Sequence, residues 1–234
     1  MKKCAIMQPT YLPWAGYFNL VDQVDVFVFL DDAQFQKNSW HNRNRILVNH
    51  RTHWITVPVN RKALSQTINK SSVDEKQNWK QKHVKLLRQT YSKHPFSNDL
   101  LPVCDVIENC DFQSLADLNV HLIEWFMMKL DIKTECVLSS QLNISGKRTE
   151  RIIKILEKLN ADIYLSPQGA AEYLDLDDFV NQTCVNLTYQ SFEPKQYQNY
   201  GHDKFESHLS IVDIVANIGW KNTKKYIAQN KVSI

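Results

Sequence analysis

Met1–Arg45 reads MKKCAIMQPTYLPWAGYFNLVDQVDVFVFLDDAQFQKNSWHNRNR. A short apolar run, Cys4 to Met7, enters Gln8-Pro9 and then an aromatic turn, Tyr11-Leu12-Pro13-Trp14-Ala15-Gly16-Tyr17. A helix is expected next, and a second apolar run, Val24 to Leu30, ends in Asp31-Asp32. The first run is too short for a helix, and the second, bounded by acids, reads as a strand buried on both faces. Strand, loop, helix, strand is a βαβ unit, so the two strands are expected to be parallel with a right-handed crossover.

Ligands of such sheets bind at the carboxyl edges of the strands. Those edges carry Gln8-Pro9-Thr10 and Asp31-Asp32-Ala33-Gln34, side by side in space. Polar strand ends, a helix start and several aromatic faces together make a candidate site. The competing reading is that Trp14 and Tyr17 only plug the base of the helix.

With 234 residues and 43% apolar content, the chain can bury a sizeable core. No apolar run approaches the length of a membrane span. The first residues hold two lysines but no apolar stretch or small-residue cleavage site, so the expectation is a cytoplasmic protein. Five scattered cysteines (Cys4, Cys104, Cys110, Cys136 and Cys184) form neither CxxC nor Cys/His metal spacing. They read as reduced, mostly buried thiols, and no metal site is assigned.

Net charge is only +3, but it is unevenly placed. Lys37, Arg43, Arg45, Arg51, Arg61 and Lys62 fall in one stretch interleaved with Trp40 and Trp54. A basic, aromatic-rich segment beside a strand-end cleft suits a nucleotide diphosphate, or equally an RNA backbone. Ile46-Leu47-Val48 and Trp54 to Val59, parted by a polar turn, form an expected hairpin, with Pro58 at an edge or end. Residues 60–77 read as a loop with a short strand near Ile68. Asn78 is the expected cap of a helix from Trp79 to Lys93, whose Trp79, His83, Leu86, Leu87 and Tyr91 share a face. Ser114 caps another, whose Leu115, Leu118, Leu122, Trp125 and Phe126 make a core stripe.

Beyond a strand at Glu135 to Ser139 comes a second polar cluster, Ser145-Gly146-Lys147-Arg148-Thr149-Glu150-Arg151. Thr149 or Ser145 is the expected cap of the helix carrying Ile152 to Leu159. Lys147, Arg148 and Arg151 stand at its N-terminal end, where the dipole disfavours cations, so an anionic partner is expected. Ile163-Tyr164-Leu165 is a strand ending in Ser166-Pro167-Gln168-Gly169. Short helices (Ala170 to Tyr173 and Leu176 to Val180), a strand (Val185 to Tyr189) and a terminal helix capped by Ser210 or Asp213 complete the chain, with Gly219 past the last helix's end. The fold class is α/β: a doubly wound, mainly parallel sheet with helices on both faces and an inserted β-hairpin, in one domain spanning residues 1–234.

The runs QPTYLPWAGYF, DVFVFLDDAQFQKNSWHNRNRI, GKRTERI, YLSPQGAAEYLD and LSIVDIVANIG resemble the WbqC-like family over nearly the whole chain. The resemblance implies an enzyme of cell-surface polysaccharide synthesis, including the O-antigen of lipopolysaccharide, acting on a nucleotide-linked amino sugar. Trp14-Ala15-Gly16-Tyr17 also looks like a degenerate HxGH signature of nucleotidylyl-transferase-type folds such as pantothenate synthetase. Trp14 and Tyr17 replace its histidines, and Lys147, Arg148 and Arg151 are the available cations.

The leading expectation is an amide-forming transferase or ligase that adds an acyl or aminoacyl group, for example glycyl, to the sugar amine. No cofactor is fixed by the residues; ATP, acyl-CoA and aminoacyl-tRNA are the candidate energy sources or donors. Asp31, Asp32 or His83 is the expected general base, and only one of the adjacent aspartates is expected to face the site. Lys37, Arg43 and Arg45 would hold the diphosphate, with Trp14, Tyr17 or Trp40 stacking on base or sugar. Gln8, Pro9, Tyr11, Gly16, Gln34 and Asn42 line the same candidate rim. Lys147, Thr149, Arg151, Ser166 and Gln168 come from the second polar cluster and the strand after it. A Cys4 or Ser166 nucleophile lacks the setting it would need. The alternatives are a non-catalytic RNA-, tRNA- or nucleotide-binding module, and a metal-dependent hydrolase built on Asp31, Asp32 and His83.

Overall fold

Val26-Phe27-Val28-Phe29 is buried along its whole length, as a strand covered on both faces must be. It is β2 of a five-stranded, all-parallel sheet in the computed structural model, which describes residues 1–60, 63, 65–201 and 204–229. The strands are β1 (Lys3–Met7), β2 (Val26–Phe29), β7 (Glu135–Leu138), β8 (Ile163–Ser166) and β9 (Asn186–Tyr189), in the order β7-β2-β1-β8-β9. β1 and β2 are parallel neighbours, with Cys4 opposite Val26 and Met7 opposite Phe29.

Alternate strand residues feed two separate cores. Ala5, Phe27, Phe29 and Leu165 pack with α1 (Ala15–Val21), α4 (Leu115–Lys129) and α8 (Ile211–Ile227). Cys4, Ile6, Val26, Val28 and Tyr164 pack on the other face with α5 (Arg148–Lys158), α6 (Ala171–Leu176) and α7 (Phe179–Gln182). The sheet is therefore helix-covered on both sides. Burial pushes the Cys4 thiol up to about 12, which leaves it an inert core group.

Between β2 and β7 the chain makes a long excursion. It contains the antiparallel hairpin β3 (Arg43–Val48) and β4 (Arg51–Thr56), in which Arg45 lies opposite Trp54. The expected loop after it is more ordered than its sequence suggests. β5 (Val59–Asn60) pairs with β6 (Ser72–Val73), and Ile68–Lys70 form a 3-10 turn rather than a strand. Arg61 and Lys62, part of the basic stretch, lie outside the described residues. Two helices follow, α2 (Trp79–Tyr91) and α3 (Leu101–Asn109).

Ser114 and Ser210 cap their helices as expected, accepting from the Asp117 and Val212 amides. Asn78 does not cap α2 with its side chain. It closes the preceding 3-10 turn in the left-handed region (φ 49°), and its amide is used there. Neither Ser145 nor Thr149 caps α5; Lys147 holds the N-cap position, and the Thr149 hydroxyl donates to Asp177 instead. Gly219 lies inside α8 rather than past its end. Its φ of 75° kinks the helix, which resumes with the Trp220 amide donating to Asp99.

This topology has one switch point. From β1 the chain moves outward to β2, whereas β8 lies on the other side of β1 and leads away to β9. The crevice between the carboxyl ends of β1 and β8 is where such a sheet binds ligands.

Candidate active site

The switch point opens into a cavity of about 560 Å³ lined by Met7 and Gln8 after β1, Trp14, Gly16 and Tyr17 at the start of α1, Pro167 and Gln168 after β8, and Ile152 of α5. The aromatic turn and Ile152 of α5 thus share one cavity, but Lys147 to Arg151, the expected cationic start of that helix, do not line it. A second cavity of about 480 Å³ adjoins it, lined by Thr10, Gln34, Gln36, Ser39, Trp40, His41 and Asn44. Met7, Gln8, Trp14, Tyr17 and His208 line both, so the two are lobes of one cleft with a common wall.

That wall follows from a glycine. A Cβ on Gly16 would come 2.2 Å from the Trp14 indole, so only a bare α-carbon lets the ring lie across the helix start. The Tyr17 hydroxyl donates to the Gln8 carbonyl at 3.2 Å, and the His208 ring stacks on Trp14 with centroids 4.4 Å apart. His208 holds a left-handed φ of 58°. Arg45 straps it down, donating to the carbonyls of Ser207 and His208 at 3.3 Å. Burial, then the Arg45 charge, hold the imidazole below its ordinary range, with Glu206 pulling the other way. His41 is neutral for the same reason: burial holds it at about 4, and its Nδ1 accepts from the Gln36 amide at 3.3 Å.

Among the described residues, neither lobe is lined by a lysine, arginine, aspartate or glutamate. Their polar groups are amides, hydroxyls and imidazoles. Such a surface suits neutral, polyhydroxyl or carbonyl-bearing groups, and it penalises an ammonium through desolvation.

A scan against protein families matches residues 8–225 to the WbqC-like protein family. The chain belongs to the WbqC-like protein family. One relative, the uncharacterized protein Rv1507c of Mycobacterium tuberculosis (strain ATCC 25618 / H37Rv), is 31% identical over 223 residues, covering 94% of this chain and 95% of its own length. No solved structure matches. No described helix is long and apolar enough to cross a membrane.

Within this WbqC-like chain, seven of the residues singled out from sequence line the cleft: Gln8, Trp14, Gly16, Tyr17, Gln34, Trp40 and Gln168. The expected acids and base lie elsewhere. Asp31 and Asp32 follow the end of β2 in a turn, so strand alternation does not separate them, and both accept from the Ser139 hydroxyl at 3.1 and 2.6 Å. Asp31 is 3% exposed and also takes the Ser140 amide and the Asn69 side chain, while Asp32 pairs with Arg151. His83 is buried against Tyr11 and Trp79 with both ring nitrogens engaged, at 2.9 Å to the Tyr11 hydroxyl and 3.0 Å to the Thr56 carbonyl. Burial lowers it to about 4.

The cations at the start of α5 find internal carboxylates: Arg148 pairs with Asp177 and Arg151 with Asp32, while Lys147 is exposed. Pro9 and Asn42 are packed beneath the rim, where the Asn119 amide takes the Pro9 carbonyl and Asn42 donates to Val57. Ser166 is buried with its hydroxyl turned to the Pro167 carbonyl. Among the described residues no three of His, Cys, Asp or Glu converge as metal ligands would.

His208, His41, Asn44 and Gln190 are site residues that the sequence reading did not single out. Gln190 donates to the Gly16 carbonyl and to Asn19, both at 2.7 Å, and so ties the end of β9 to α1. A lone polar residue in an aperiodic stretch carries no local signal, and only the tertiary fold brings these four to the rim.

Proposed function

We propose that this WbqC-like protein forms an amide between an acyl or aminoacyl donor and the amine of a nucleotide-linked amino sugar for cell-surface polysaccharide. The observation that carries this reading is the two-lobed cleft, lined among the described residues by no formally charged side chain, whose shared wall bears one imidazole, His208. Two substrates fit two lobes, and the reacting atoms meet at the wall.

The residues then act as follows. The amino sugar sits in the amide-lined lobe around Gln34, Gln36 and Asn44, and the donor in the lobe at the switch point. An uncharged surround favours the free amine over the ammonium, which exposes the nitrogen lone pair. The amine attacks the donor carbonyl, the bond to the leaving group breaks, and His208 takes the proton released from nitrogen. Gln8 offers the carbonyl oxygen a neutral amide donor. Because Arg148 and Arg151 are engaged by Asp177 and Asp32, the site favours a ready-made thioester or ester donor over adenylation with ATP.

The test incubates the purified protein with nucleotide-linked amino sugars and glycine plus ATP, acyl-CoA or glycyl-tRNA, with mass spectrometry of the sugar. Added acyl or glycyl mass that disappears in His208→Ala supports the assignment. No mass gain with any donor refutes it.

A further inference from the structure

Just outside the amide-lined lobe, the hairpin presents an exposed aromatic and cationic surface that supplies no reacting group to the chemistry above. Trp40, a wall of that lobe, meets Trp54 of β4 with ring centroids 5.1 Å apart. Arg43 lies 4.0 Å over the Trp54 ring, and Arg45 lies 5.7 Å from the Trp40 ring. Both indoles remain open to solvent, at 45% and 39% exposure, although large aromatics are ordinarily covered. The register explains the grouping. Arg43 and Arg45 alternate along β3, and their partners on β4, Thr56 and Trp54, share their face.

We infer that this shelf binds the nucleoside diphosphate portion of the ligand, with the base stacked on Trp54, the phosphates beside Arg43, and Arg45, itself held by Glu206 at 3.8 Å and by two carbonyls, adding its charge from behind. The order of chemistries along the surface carries the inference. A nucleotide sugar is an aromatic base, then an anionic diphosphate, then a neutral sugar. The protein presents an indole with a guanidinium, a second guanidinium, and then, past Trp40, a lobe without formal charge. Among the described residues an anionic group meets no counter-charge inside the cleft, and the shelf supplies it next door. Stacking on an indole accepts any base, so the shelf recognises nucleotides as a class.

This rests on the transfer reading only for the attached sugar; binding of the bare nucleotide is a separate matter. The probes are UDP, dTDP and inorganic pyrophosphate, titrated by calorimetry against the full chain, Trp54→Ala, Trp54→Phe and Arg43→Ala. Trp54 is exposed, so its variants are expected to keep the circular dichroism and melting temperature of the parent. The expected result is a loss of about tenfold or more in UDP and dTDP affinity in Trp54→Ala, with Trp54→Phe retaining most of it. Pyrophosphate affinity is expected to be unchanged in Trp54→Ala but reduced in Arg43→Ala. Equal nucleotide affinity in parent and Trp54→Ala overturns the shelf. So does a single-stranded oligoribonucleotide that binds through Trp54 tenfold or more tighter than UDP, because it assigns the surface to RNA. Nucleotide binding without acyl transfer keeps the shelf and refutes the transfer reading, whereas transfer with an unchanged KM for the nucleotide sugar in Trp54→Ala does the reverse.

Discussion

His208 combines a left-handed φ of 58°, a tryptophan face and an arginine strap on its backbone. A non-glycine residue held this way costs on the order of 1–2 kcal/mol, and such strain collects at functional positions. In the proposed role of base it works only when neutral, so the acid limb of kcat against pH is expected below the ordinary imidazole value of about 6.5. In Arg45→Gln a cause of the lowering is removed, and the limb is expected to move to higher pH. A pH–rate profile of both proteins checks the direction. Gly16→Ala forces a methyl into the Trp14 indole and is expected to cost about 1–3 kcal/mol in chemical denaturation. It is also expected to weaken ligand binding by displacing the wall common to the two lobes.

At the scale of elements, the turn after β2 is a polar junction. Asp31 takes Ser140 and Asn69, Asp32 takes Arg151, and Ser139 reaches both acids, so β2, β7 and α5 are tied at one edge. The Arg151 and Asp32 side chains are 17% and 24% exposed, so their pairing is partly shielded from solvent. A double-mutant cycle on Asp32→Asn and Arg151→Gln is expected to give a coupling of about 1 kcal/mol in urea denaturation. In α8, Gly219 faces Phe96, whose ring would lie 2.6 Å from an added Cβ, and its φ is 75°. Gly219→Ala therefore adds backbone strain to a clash, and roughly 2–4 kcal/mol of lost stability is expected.

These elements also show what the sequence could disclose. The strands were legible because apolar runs of four or five residues between acids and turn residues have no other compact use. The segment Gln8 to Tyr17 stands out in the sequence because it directly follows such a strand, and Gln8, Trp14, Gly16 and Tyr17 line the candidate cleft. Asp31 and His83 lie outside the two lobes, which the sequence does not disclose: a carboxylate or imidazole in a pattern looks the same whether it meets a substrate or a buried hydroxyl. His208 was illegible because its place on Trp14 depends on Arg45, 163 residues away in sequence.

For the whole molecule, the buried titratable groups pull stability in opposite directions as pH changes. The Asp213 carboxyl is 1% exposed among Tyr91, Tyr197, Asn199 and Asn217, and burial pushes it up to about 6. Its folded pKa lies above the unfolded value, so its contribution is full below about 3.9 and is lost as pH rises through 6, a difference on the order of 3 kcal/mol. His41 and His83 act oppositely. Held near 4, they stabilise above the ordinary imidazole value and lose that contribution as pH falls. Relative to the parent, Asp213→Asn is expected to gain stability as pH rises from about 4 to about 6 while keeping the histidine-dependent loss on the acid side, as followed by melting temperature across pH.

All five strands run the same way, so every loop at their carboxyl ends opens onto the same rim. The switch-point lobe is built from the sheet's own connections, whereas most of the outer lobe and all of the tryptophan shelf come from the excursion between β2 and β7. The two halves of the cleft therefore come from different stretches of the chain. Chimaeras grafted at Leu30 and Thr134 would exchange that excursion alone, so a ligand preference that travels with the graft belongs to the outer lobe and one that stays belongs to the sheet's own connections.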